Sequence, residues 1–94
     1  STNVMDIQGF NISDIYPNPA TNKLYIPLNL NTNEDILIDI YNILGVKQES
    51  DLLSLSQGSH LVVKDINFQS GQYIIVFKNS EGLTLSTKQF IVVE

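Results

Sequence analysis

Phe10-Asn11-Ile12-Ser13-Asp14-Ile15-Tyr16-Pro17-Asn18-Pro19-Ala20-Thr21-Asn22-Lys23-Leu24-Tyr25-Ile26-Pro27-Leu28-Asn29-Leu30 carries the pattern on which the fold turns. In its second half Leu24, Ile26, Leu28 and Leu30 share one face, while Tyr25, Pro27 and Asn29 share the other. That period of two is what a half-buried strand requires. Between the two apolar runs stand Pro17 and Pro19. Each fixes φ and lacks an N–H, so the pair ends one strand and pre-shapes a turn into the next.

The same period continues downstream. Ile36, Ile38 and Ile40 alternate with Leu37, Asp39 and Tyr41, and Tyr73, Ile75 and Phe77 alternate with Ile74, Val76 and Lys78. Leu83, Leu85, Thr87, Gln89, Ile91 and Val93 form the odd face of a long final strand, with Lys88 on the opposite face. No window carries a helical stripe. Turn-forming clusters at 17–22, 31–34, 44–45, 56–59, 69–71 and 79–82 separate the runs. Strands are therefore expected near 10–16, 23–30, 35–42, 46–53, 60–66, 72–79 and 83–93. Short strands spaced this regularly predict an all-β fold, an antiparallel sandwich of two sheets. Pro27 cannot donate a ladder hydrogen bond, which places its strand at an edge or at a bulge. Residues 1–9 lack sustained alternation and read as a linker or lead-in, leaving 10–94 as one domain.

Composition narrows the function. The 94 residues are 43% hydrophobic and 16% charged, values of a globular domain rather than a disordered one. Area scaling from 10.5 kDa gives roughly two-thirds of the unfolded surface buried on folding, enough for one core. Ten acids face five lysines and no arginine, for a net charge of −5. A nucleic-acid binder needs a cationic surface, so nucleic acid is not an expected partner. Attraction to an anionic membrane is disfavoured on the same ground. There is no cysteine, which excludes disulfides, thiolate metal sites and Cys nucleophiles. No apolar run reaches the ~18 residues of a membrane span, and the first residues lack a signal-peptide pattern.

Residues that carry chemistry are few. His60, the one histidine, would need a nucleophile and an orienting carboxylate to act as a base. Its position at a strand start reads instead as a polar residue facing water. Glu34, Asp35, Asp39 and Asp65 read as solvated acids rather than a glycosidase pair, which needs a cleft. The Asn29–Asp35 stretch offers oxygen donors for Ca²⁺ but lacks the D-x-D-x-D-G spacing. Tyr16, Tyr25, Tyr41 and Tyr73 would form a sugar platform only if several were exposed together. Asn11-Ile12-Ser13 is a formal glycosylation sequon of low specificity. Catalysis, a cofactor and a resident metal are not expected.

The order and spacing of ordinary structural residues are more informative. The Tyr16-Pro17-Asn18-Pro19-Ala20 turn is followed by Ile38-Asp39-Ile40-Tyr41-Asn42-Ile43-Leu44-Gly45-Val46. Then come Gly71-Gln72-Tyr73 and a closing strand containing Lys88. Over residues 10–94 this arrangement resembles the type A C-terminal sorting domain of type IX (Por) secretion cargo from Bacteroidetes. The resemblance implies an Ig-like sandwich of seven strands and a non-catalytic export signal at the end of larger cargo. It implies as partners the outer-membrane translocon, a sortase-like peptidase that removes the domain, and an upstream cargo domain in the same precursor. Localisation would be secreted or cell-surface, by way of the periplasm. By position, the family motifs fall on Pro17, Asn18 and Pro19, on Gly71 and Tyr73, and on Lys88. The chain departs from the pattern at its end, where Ile91-Val92-Val93-Glu94 lacks the second basic residue that members often carry.

Each of these positions also has a purely structural reading. The prolines shape a turn, Gly71 would supply a positive φ, and Tyr73 would plug the space between sheets. Lys88 is the one expected to face a partner, by an added edge strand or a docked loop. Two rival functions share the fold: a glycan- or protein-binding module, and a structural spacer.

Overall fold

The computed structural model describes residues 10–94, and the lead-in assigned to residues 1–9 lies outside them. Seven strands follow in chain order: β1 (Phe10–Ile12), β2 (Lys23–Leu30), β3 (Glu34–Asn42), β4 (Lys47–Leu55), β5 (Gly58–Asp65), β6 (Gly71–Lys78) and β7 (Thr84–Val92). One sheet has the order β1-β2-β5 and the other β4-β3-β6-β7. Every pairing between strands is antiparallel. This is the expected all-β architecture, consistent with an Ig-like sandwich.

The period-two faces meet in the middle. Leu24, Ile26, Leu28 and Leu30 of β2 pack with Ile36, Ile38 and Ile40 of β3 and with Tyr73, Ile75 and Phe77 of β6 in one buried cluster. Phe10 of β1 reaches Phe77 across the sheets, with ring centroids 6.0 Å apart. On the opposite flank, Lys64 of β5 is buried and its Nζ binds Glu49 Oε2 at 2.8 Å and Asp51 on β4. The two sheets are thus closed by aromatic packing on one side and by an ion cluster on the other.

Four expectations need correction. The first strand ends at Ile12 rather than near 16. Beyond it the backbone bonds to β2 only through the Ser13 N–H and the Tyr16–Tyr25 bridge, because Pro27 has no N–H to complete the next ladder pair. Pro27 does not lie on an edge: β2 is the central strand of its sheet. The strand tolerates it because the Pro27 carbonyl accepts from Ser13 N–H at 3.0 Å on the β1 side, just past the end of β1. A residue's N and C=O face the same neighbour, so the missing N–H falls where the ladder has stopped. In β7 the even face is the inner one, with Phe90 and Val92 buried and Ile91 and Val93 exposed. Lys88 therefore stands on the core-facing side, half-buried and opposite Ile75.

Asp39 is the fourth. It is only 1% exposed although it sits on the outer face of its sheet. Ser50 Oγ donates to it at 2.5 Å, Tyr41 Oη at 3.5 Å, and Lys47 and Lys78 Nζ each lie 3.7 Å away. Long neighbouring side chains cover the carboxylate, and their polar ends satisfy it. Asp65, by contrast, is solvated as expected and pairs with Lys23 at 2.6 Å.

The registers define two ends of the sandwich. Phe10, Leu30 and Gly58 lie at one end of the three-stranded sheet, and Lys23 and Asp65 at the other. Ala20, just before β2, bridges Val92, so Val92, Gly71 and Asn42 share the Lys23 end. With eight residues in β2 at ~3.3 Å each, the two ends are about 25 Å apart.

Candidate functional site

Three segments distant in sequence meet at the Lys23 end. The double-proline loop lies along the last residues of β7, held there by three hydrogen bonds, and is tied to β2 by the reciprocal bonds of Tyr16 and Tyr25. Ala20 N–H donates to Ile91 O at 2.7 Å, and Val93 N–H donates to Ala20 O at 2.9 Å. Ile91 N–H donates to Asn18 Oδ1 at 2.9 Å. Farther back, Tyr16 N–H donates to Tyr25 O at 3.0 Å. Ala20 is fully buried and anchors the loop, while Pro17, Asn18 and Pro19 are exposed. The peptide bonds before both prolines are cis.

Gly71 opens β6 on the other side of β7 from this loop, paired with the same Val92. Its φ is not positive, contrary to the structural expectation; among the described residues Gly45, Gly58 and Gly82 are the glycines that have one. A Cβ at Gly71 would meet Tyr73 Cε1 at 3.9 Å and Gln69 O at 4.0 Å, both ordinary contacts. Nothing in the fold demands glycine here. Gly71→Ala is therefore expected to keep or slightly raise the melting temperature, because alanine restricts the unfolded chain. A thermal melt beside an export assay then separates fold from recognition at this position. Tyr73 does fill the space between sheets. It is buried, packs on Phe68 and Phe90 with centroids at 5.0 and 5.7 Å, and donates its hydroxyl to Gln69 O at 2.7 Å.

Five of the six motif residues thus come together, and Lys88 does not: it lies mid-strand on β7, away from this end. One exposed apolar feature at this end is absent from the sequence expectations. The β3–β4 turn carries Ile43, Leu44 and Val46, exposed by 66%, 83% and 55%. Asn42 Oδ1 accepts from Leu44 and Val46 N–H at 2.9 and 3.0 Å, and Gly45 takes φ +84°, so this apolar tip is preorganised. The signal was available in Ile43-Leu44-Gly45-Val46, a turn too apolar for a solvent loop.

The remaining candidates are occupied otherwise. His60 Nε2 donates to Ser56 O at 2.7 Å. Asn33, Glu34 and Asp35 line an open polar pocket of 440 Å³ with Ser54, Ser56 and Ser80. Their oxygens already accept from Gln57 N–H, Thr32 Oγ1 and Ser54 Oγ. No cluster of three metal-ligating side chains occurs among the described residues. Of the four tyrosines only Tyr16 is exposed, stacked on half-buried Tyr25 at 5.3 Å, while Tyr41 is half-buried and Tyr73 buried, so they do not make a platform of several exposed rings. The hydrogen bond and charge of Lys23 hold the Asp65 carboxyl below its ordinary value and raise Lys23 in turn. The pair's contribution is present above the ordinary Asp pKa and is lost as pH falls through the lowered one. Both groups are solvated, so Asp65→Asn is expected to move the melting temperature at pH 7 hardly at all, by calorimetry.

Two antiparallel sheets of three and four strands define the class as an all-β sandwich consistent with an Ig-like form. Solved structures show the same fold. A β-glucosidase from Kluyveromyces marxianus, as selenomethionine protein and in complex with glucose, superposes with a TM-score of 0.57 at 16% identity in each case. The alignment covers 92% of this chain and 14% of the enzyme, so the likeness concerns one part of that protein. No curated protein sequence matches. The chain belongs to the family of secretion system C-terminal sorting domains, whose model matches residues 14–93. It is a non-catalytic sorting module for cargo of the type IX (Por) system.

Proposed function

We propose that the type IX outer-membrane translocon reads the end of the sandwich where Pro17, Asn18, Pro19, Gly71 and Tyr73 converge. The attached cargo crosses the outer membrane from the periplasm, and a sortase-like peptidase then cuts near residues 1–9, releasing the cargo or anchoring it at the surface. The supporting observation is that the fold gathers these motif residues at one end and exposes both prolines there. The exposed aliphatic tip at 43–46 lies at the same end and would add apolar contact area. The chemistry of cleavage belongs to the peptidase, and this domain supplies only a surface.

The test is to graft residues 1–94 onto the C-terminus of a periplasmic reporter in a Bacteroidetes host, with and without an intact translocon. Export confined to the intact host is the expected result. A folded domain whose reporter stays in the periplasm of both strains would refute the reading and favour a binding or spacer role.

A further inference from the structure

Four strands lie at sheet edges, and three are blunted. β1 has only three residues. β4 and β5 turn charges inward, where Lys64 meets Glu49 and Asp51. Short edges and inward charges are ways of refusing an added strand. β7 differs. Every residue from Ser86 to Val92 stands opposite one on β6, Lys88 opposite Ile75 and Phe90 opposite Tyr73. Ile91 turns its N–H and C=O the other way, to Asn18 and Ala20. By the alternation of an antiparallel ladder, Gln89 and Thr87 present theirs to the same open side. Among the described residues nothing accepts from or donates to them there.

Lys88 sits between those two residues. The other four lysines all have a carboxylate within reach: Lys23 with Asp65, Lys47 and Lys78 with Asp39, and Lys64 with Glu49 and Asp51. Lys88 has none among the described residues. The open edge therefore offers free backbone groups and one uncompensated cation at the same place. From this we infer that Thr87–Gln89 of β7 accept an extended strand from the export machinery, whose acidic side chain meets Lys88. The strand would continue the line of the double-proline loop, which already covers Ile91–Val93 on that edge. A second copy of this chain is a poor occupant, since it brings its own Lys88 and a net charge of −5 to the same edge.

The inference rests on the sorting role and is tested on the reporter graft, where the unaltered domain must first be exported. Failure of that control strikes the sorting role itself. Gln89→Pro removes one outward N–H and no β6 bond, and Gln89→Ala is its side-chain control. Lys88→Glu reverses the charge, and Lys88→Arg keeps it. Export is expected to fall about ten-fold or more for Gln89→Pro and Lys88→Glu, with both controls near the unaltered level. Circular dichroism establishes that each variant is folded, and Thr87→Pro replaces Gln89→Pro if the latter is not. Normal export of folded Lys88→Glu or of a folded proline variant overturns the inference. So does a purified domain that is dimeric by sedimentation and becomes monomeric in the proline variant, because the edge would then be self-paired.

Discussion

Phe77→Ala should lower the melting temperature by roughly 15–30 °C, enough to leave much of the domain unfolded at growth temperature. Phe77 is fully buried on β6 and is one of the two largest side chains wholly inside the core. It touches Phe10 on the opposite sheet, so truncation opens a void and removes a contact that holds β1 down. Losses of about 3–5 kcal/mol are usual for such a change. A domain of this size has only about 5–14 kcal/mol in all. Leu44→Ala, on an exposed turn, serves as the control and should cost less than about 0.5 kcal/mol. A two-state melt by circular dichroism reads both. A Phe77→Ala shift of only a few degrees would mean that the sheets repack around the gap.

Ala20→Leu should have the second large effect, and on export more than on folding. Ala20 is fully buried where the double-proline loop joins β7, with its backbone bonded to Ile91 and Val93. Leucine has no room there, and overpacking costs about 1–3 kcal/mol. The strain falls on a loop that can detach locally without global unfolding. Pro17, Asn18 and Pro19 keep their chemistry but lose their placement. Export of the reporter should drop about ten-fold or more, while the melting temperature falls by only about 4–15 °C. Amide hydrogen exchange at Ile91 and Val93 should accelerate in the same variant, because their acceptors sit on the loop. Unchanged exchange with lost export would instead assign the defect to Ala20 itself.

The sandwich was legible because its strands alternate so regularly. Ile36, Ile38 and Ile40 could only face inward, and the turn clusters fixed where the ladders stop. What failed was the assignment of faces where both sides of a strand are apolar. Along the final strand and its flanks, Leu83, Leu85, Ile91 and Val93 outnumber Phe90 and Val92, yet Phe90 and Val92 are the buried pair because register puts them on the same inner face as Tyr73 and Ile75 of β6. Pro27 failed for another reason. Its tolerance depends on β1 ending one residue early, a fact of pairing that no local pattern contains. The candidate site was visible as a set of motifs but not as a place, since Pro17, Gly71 and the end of β7 meet only through register. The burial of Asp39 was not legible because three of the four groups that meet it, Lys47, Ser50 and Lys78, reach it only through the pairing of β3 with β4 and β6.

The separation of the two ends has a practical side. Residues 1–9 join at Phe10, about 25 Å from the double-proline loop, with the whole β-sandwich between. A passenger fused ahead of Phe10 is therefore attached at the end of the sandwich opposite the loop. The domain is built like an address label whose string is tied at one end and whose lettering stands at the other.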